Sequence, residues 1–366
     1  MTTTSNHSAD RDTADRDTAT RDGVPAVDDT TRVEATVAAA SWIPSHGVPG
    51  VLRLPFDVGM THYDSPLPRR ISPGDVATLI DHDACRSVNV LSAWIVVDAS
   101  GRIVDHGRGG GGRVCSTTVG LGPIEVTRPG KAAPDLRPTA EVHPDRVVFT
   151  QTTGGRTWVP APRLLRRAPF VGLQAPPIWT TLQLTLHADG RVEHELVGAS
   201  PFPRHWVYGP DGELSTKSGV LGFRHWYRRV GGRACPWGAR DLDVATTPIE
   251  TDLEREVADR RMRADGPLRV GRRRAGQVLA RQGDADRTMW LVLDGLLHVE
   301  VDGSTVGAVG PGWVVGERAS TGDGVRTATL RAVTPVRVVE VHHDVVRPEE
   351  LARIAHTHAR EELVHG

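Results

Sequence analysis

Asp-Gly pairs set between short alternating strands constrain this chain most. Thr180–Leu186 reads TTLQLTL, apolar at every second position, and Asp189-Gly190 follows shortly after. Such a pair supplies the left-handed residues that a tight hairpin turn needs. Arg191–Val197 is then the return strand. Gly209-Pro-Asp-Gly212 turns the chain after His205–Tyr208. Asp98-Ala-Ser-Gly101 turns it between Ser92–Val97 (SAWIVV) and Arg102–Val104. Arg146–Thr152 and Arg156–Val159 flank Gly154-Gly155 as a further hairpin. Short strands at this spacing predict antiparallel sheets, in a sandwich or a barrel. Helical signals are confined to Pro73–Ile80, Thr251–Met262 and the stretch from Pro348 to about Val364. The fold class is mostly β (α+β).

The organisation follows from where apolar residues begin and end. Residues 1–34 are Thr, Asp, Arg and Ser with little to bury, and predict a disordered tail. Residues 35–248 form a β-rich domain of unknown function, with Trp179, Trp206, Trp226 and Trp237 in its core. Residues 249–267 form a helical connector, capped by Thr251 or Asp252 and ended by Gly266-Pro267. Residues 268–366 form a C-terminal domain in which Gln277–Ala280, Trp290–Leu293, Leu296–Val301, Thr329–Ala332 and Val336–Val341 read as strands, with turns at Asp294-Gly295 and Asp302-Gly303.

The net charge of -1 points to no general affinity for nucleic acid or membrane. No apolar run approaches the ~20 residues of a bilayer span, and no signal peptide is expected. Cys85, Cys115 and Cys235 lack C-x-x-C spacing, which fits a reducing cytoplasm. No metal site is expected: His187, His194 and Glu195 fall on mixed faces of one hairpin. Gly107–Arg113 (GRGGGGR) reads as a flexible loop, because no P-loop Lys-Ser/Thr follows it. The two Arg-His-Trp copies, at 204–206 and 224–226, read as a repeated structural corner or the frame of a ligand pocket, and on strands as packing first. No catalytic residue is assigned.

The C-terminal domain carries three segments in order. The first is Gly276-x-Val278-Leu279-x-x-x-Gly283-Asp284. The second is Val292-Leu293-x-Gly295-x-Leu297-x-Val299. The third is Gly316-Glu317-Arg318-Ala319, with Arg326-Thr327-Ala328-Thr329 after it. Together they resemble the cyclic-nucleotide-binding domain of the catabolite-activator and protein-kinase-A-regulatory superfamily. The resemblance implies a small jelly-roll-type β-roll flanked by helices, and a cassette of Val315, Gly316, Glu317, Arg318, Ala319, Arg326, Thr327 and Ala328. The turn at Gly316-Glu317 would offer backbone N–H groups to the cyclic phosphate. Arg326 would fork onto phosphate oxygens. Glu317 would accept from the ribose 2′-hydroxyl, and ligand or an arginine must satisfy it once buried. Val315 and Arg318 depart from the family, which commonly has an aromatic and an apolar residue there.

The expected ligand is cyclic AMP, with Thr327 leaving cyclic GMP open; no other cofactor is expected. The last helix would be a lid, with His356, His358 and His365 on a solvated face. Only nineteen residues follow Arg347, too few for a helix-turn-helix reader. The chain therefore reads as a cyclic-nucleotide sensor rather than an enzyme. The alternatives are an enzyme or carrier in the β-rich domain regulated in cis, and an interaction module whose roll has lost its ligand. The sign of the latter would be an occluded cassette with Arg326 paired to an internal acid. A protein partner and the oligomeric state are left open.

Overall fold

The computed structural model describes residues 30–365 except 45–46, 49–52, 60–61, 83, 122, 158–161, 165–170, 174–175, 229–234, 239–240, 243, 264–268 and 343–344. The strands of the N-terminal part are β1 (Thr31–Trp42), β2 (Ser87–Val97), β3 (Ile103–Val114), β4 (Thr117–Leu121), β5 (Ile124–Arg128), β6 (Lys131–Ala132), β7 (Glu141–Val142), β8 (Arg146–Arg156), β9 (Pro162–Leu164), β10 (Val171–Leu173), β11 (Pro177–His187), β12 (Val192–Ala199), β13 (Arg204–Tyr208), β14 (Leu214–Ser218) and β15 (Thr246–Thr247). Among the described residues three α-helices lie between them, α1 (Leu54–Asp57), α2 (Pro73–Asp81) and α3 (Phe223–Arg228), with a 3-10 turn at Pro236–Gly238.

One antiparallel sheet runs β15-β14-β13-β1-β2-β3, and a second runs β12-β11-β8-β6 with β7 also on β8. The TTLQLTL alternation is an alternation of faces. Leu182, Leu184 and Leu186 are fully buried in a core shared with Leu91 and Ile95 of β2 and Phe149 of β8. Burying each such leucine contributes about 1.5–3 kcal/mol. The Asp189-Gly190 turn joins β11 to β12, with Leu186 opposite Val192. Pro73 opens α2 behind Ser72, whose side chain and Asp75 form a reciprocal capping box.

Several expectations are corrected. The segment expected as tail lies outside the described residues up to 29, but residues 31–34 belong to β1, where Val33 pairs with Ile95 of β2. GRGGGGR is no loop: it runs through β3, paired to β2. Its glycines permit close packing, since a Cβ on Gly112 would sit 2.2 Å from Thr153. Gly154-Gly155 likewise lies inside β8 rather than at a turn, because Cβ atoms there would strike the backbone of Ile178 and Lys131. The second Arg-His-Trp copy lies on α3 rather than a strand. Trp179, Trp206 and Trp226 are buried, whereas Trp237 is half-buried and donates to Pro134 O at 2.7 Å. Apart from Phe149, the main core between the sheets is aliphatic.

The connector is α4 (Asp252–Arg263), capped by Thr251, whose hydroxyl accepts from Glu254 N at 3.2 Å. Gly266-Pro267 lies outside the described residues. The C-terminal strands are β16 (Val270–Arg273), β17 (Val278–Ala280), β18 (Met289–Asp294), β19 (Leu297–Val301), β20 (Ser304–Val309), β21 (Val314–Val315), β22 (Thr329–Ala332) and β23 (Val336–Val341), with helices α5 (Glu317–Thr321) and α6 (Pro348–His365). They form two four-stranded sheets, β16-β23-β18-β21 and β17-β22-β19-β20. β18 is apolar from Met289 to Leu293, and both its faces are buried. Trp290 and Val292 enter the core between the sheets. Met289, Leu291 and Leu293 pack instead with Val257 of α4 and with Leu351 and Ile354 of α6. Among the described residues no helix is long and apolar enough to cross a membrane.

Candidate functional site

All eight cassette residues line one cavity of about 310 Å³. This is at the small end of the range for ligand pockets. Its walls are apolar: Val299, Val306, Val309 and Leu330 come from the sheet that carries β17, and Trp313 and His358 complete it.

Gly316 has φ of 87°, in the left-handed region that favours glycine. A Cβ there would lie 2.5 Å from Arg326 Nη1 and 2.6 Å from Thr288 O. The missing side chain is what lets Arg326 close on the cassette. Its Nη1 donates to Gly316 O at 3.1 Å, and its Nη2 donates to Thr288 O at 2.5 Å and Asp286 Oδ2 at 2.7 Å. The guanidinium also lies 4.6 Å over the Trp290 ring. Buried Arg326 Nε has no partner. The carboxyl of Asp286 loses some solvation, but the hydrogen bonds of Arg326 and Thr288 outweigh this and hold it at about 2. Arg326 is thus paired with an acid, the feature expected of a roll without ligand. The accompanying occlusion is not present: the cavity is open to Arg326 and to the other seven residues.

Glu317 is buried, and its close hydrogen-bond partner is His358, with Arg318 in looser ion-pair range. His358 Nδ1 lies 3.0 Å from Glu317 Oε1, and His358 Nε2 lies 3.1 Å from Glu254 Oε1. His358 is therefore not on a solvated face. It is buried and stacks on Trp313 with ring centroids 4.9 Å apart. Burial opposes its charge, but hydrogen bonds to Glu254 and Glu317 and their negative charges push it up to about 10. With both nitrogens protonated, it donates to each carboxylate. His356 is exposed, and the side chain of His365 lies outside the described residues.

Glu254 ties this ring to the connector. Its Oε1 accepts from Val314 N at 2.9 Å, and its Oε2 accepts from Thr251 N and Oγ1, both at 2.9 Å. One chain of bonds thus links cassette, final helix and the first turn of α4. Arg318 and Ala319 follow Glu317 on α5, and Arg318 Nε lies 3.9 Å from Glu317 Oε1. Thr327 is exposed at the cavity rim, beside Ala328.

Elsewhere, His187 and His194 are held apart by their own partners, Arg191 and Ser215. No group of metal-ligating side chains occurs among the described residues. Arg204 and His205 serve the interior: Arg204 donates to Ser218 O at 2.7 Å, and His205 bonds Ser41 Oγ at 2.7 Å.

Residues 272–348 match the family model described as the cyclic nucleotide-binding domain, so the C-terminal roll carries that domain. Solved structures similar to the chain include the cAMP-bound PfPKA-R fragment 141–441, at 20% identity over 26% of this chain and 34% of that one, with a TM-score of 0.24. The regulatory subunit of a cAMP-independent protein kinase A from Trypanosoma brucei matches at 18% over 25% and 35%, with a TM-score of 0.23. The N-terminal domain of a transcriptional regulator from Streptomyces coelicolor A3(2) matches at 25% over 30% and 94%, with a TM-score of 0.24. The chain spans about a third of the first two. No curated protein matches the chain.

Proposed function

We propose that the chain is a cytoplasmic cyclic-nucleotide sensor, with residues 268–366 as the sensing domain and cyclic AMP as its ligand. The carrying observation is that Glu317 and Arg326 line one apolar-walled cavity. The cyclic phosphate and the adjacent ribose 2′-hydroxyl of a cyclic nucleotide would engage these two groups. Arg326 is positioned before ligand arrives, so little side-chain freedom is lost on binding. Its free Nε, and then its Nη2 in exchange with Asp286, would meet the phosphate. His358 holds Glu317 Oε1, so Oε2 would accept from the ribose hydroxyl. The apolar walls and the Trp313–His358 stack would cover the purine.

Ligand contact with Glu317 acts on His358, and through it on α6 and α4. Two states then differ in ligand affinity, as a population shift requires. The test is thermal denaturation of the full chain with cyclic AMP, cyclic GMP or 5′-AMP. Cyclic AMP at a hundred times its dissociation constant should stabilise by about 2.7 kcal/mol, with a smaller effect of cyclic GMP and none of 5′-AMP. Equal effects of cyclic AMP and 5′-AMP would overturn the reading.

A further inference from the structure

Cys85 and Cys115 bracket the β2–β3 hairpin. Cys85 lies just before Ser87, the first residue of β2, and Cys115 directly follows Val114, the last of β3. Ser87 pairs with Val114, and Cys115 N donates to Arg86 O at 3.0 Å. Strand pairing thus brings the two cysteines together although 30 positions separate them in sequence. Their Sγ atoms lie 3.1 Å apart, and both side chains are buried. A small shift of each sulfur would bring them to bonding distance.

The surroundings favour that bond. The pair lies in an apolar cluster with Ala40, Val88, Tyr208 and Leu214, against Leu79 and Ile80 of α2. The Cys85 thiol faces Cys115 and, at 3.9 Å, Leu79 O. A disulfide there would carry no S–H group and no charge into the interior. Packing already holds the two side chains side by side, so joining them costs the folded state little freedom. Cys235 is half-buried and is not part of this cluster.

We propose that Cys85 and Cys115 are a redox-responsive pair that oxidises to a buried disulfide and clamps the open ends of the β2–β3 hairpin. The oxidant is a small-molecule disulfide of the glutathione type. One cysteine thiolate attacks it and expels one glutathione thiolate. The second cysteine attacks the resulting mixed disulfide and expels the other. Two cysteine thiols are oxidised, one external disulfide is reduced, and the two cysteine protons pass to the leaving thiolates. The hydrogen bond with Cys115 and burial both push the Cys85 thiol up. Exchange therefore proceeds while the hairpin ends are open, during folding or local unfolding. A reducing cytoplasm keeps the pair as thiols, and an oxidising one joins it.

The test is refolding of the full chain in a mixture of oxidised and reduced glutathione, or in dithiothreitol. Thiols are then counted in denaturant, and the digested protein is mapped by mass. All three cysteines should react after dithiothreitol. After glutathione, Cys85 and Cys115 should leave the count and appear in one cross-linked peptide, lighter by two hydrogens. The clamp restricts the unfolded chain, so the oxidised protein should melt about 5 °C or more above the reduced one. Cys115→Ala should melt at one temperature in both buffers. Should that variant fail to fold, the peptide map and the melting shift of the wild-type chain decide. Retention of the Cys85 and Cys115 thiols after oxidative refolding would overturn the proposal. So would a cross-link to Cys235, or equal melting temperatures of the cross-linked and reduced chains.

Discussion

His358 Nδ1 lies 3.0 Å from Glu317 Oε1, across forty-one residues of chain. The same imidazole bonds Glu254 with its other nitrogen. A cationic histidine thus joins two buried carboxylates from two other helices. Its positive charge offsets part of the cost of burying both acids.

Replacing His358 with Ala leaves both carboxylates without their shared cation. The expected loss of stability is about 3–5 kcal/mol, in the range for removing one partner of a buried ion pair. His358→Gln keeps one donor and should lose less. Chemical denaturation of both variants checks the order, and equal losses would contradict it.

His358 also fixes a pH dependence. Its folded value, about 10, is raised above that of an exposed histidine, because the two glutamates outweigh burial. The stability it contributes is complete below the unfolded value, near 6.5. It is lost as pH rises from there through about 10. Lys217, held at about 8 chiefly by burial, has the opposite slope above that pH. The difference between wild type and His358→Gln isolates the histidine. That difference should shrink steadily from pH 7 to pH 10 in denaturant melts.

Gly316→Ala meets two penalties. The left-handed backbone disfavours any Cβ by about 1–2 kcal/mol, and that atom would press on Arg326 and on Thr288 O. Arg326 must then shift. Cyclic AMP affinity should fall at least tenfold while the far-UV spectrum stays native. Unchanged affinity would show that Arg326 does not set it.

Gly154→Ala tests the packing of the β-rich part. Gly154 has φ of 152°, and its added Cβ would lie 2.1 Å from Ile178 O. The neighbour is backbone and cannot rotate away. A loss of about 2 kcal/mol or more is expected by thermal denaturation.

The cassette was legible because its members are close in sequence. Glu317 and Arg326 are nine residues apart and carry the charge pattern by themselves. Alternation gave β11 and β12 for the same local reason. What escaped depended on contacts across the fold. Asp286 and Glu254 join the site from distant elements, and so does His358, which stacks on Trp313. A signal for His358 did exist: Leu351, Ile354 and His358 stand at i, i+3 and i+7, the buried stripe of α6. The glycine runs at 107–112 and 154–155 are ambiguous in sequence, because glycine marks turns and close strand packing alike. Only the partner strand tells the two apart. The function of the β-rich part is not carried by any local motif, since its buried polar groups mostly bond one another.

The most direct measurement is calorimetric titration of the full chain with cyclic AMP, beside Glu317→Gln and Arg326→Lys. One site per chain of micromolar or tighter affinity is predicted. Arg326→Lys keeps the charge but loses the fork, and should weaken binding roughly 10- to 100-fold. Glu317→Gln should weaken it as well. No heat from the folded wild-type chain, or equal binding by all three proteins, would contradict the account.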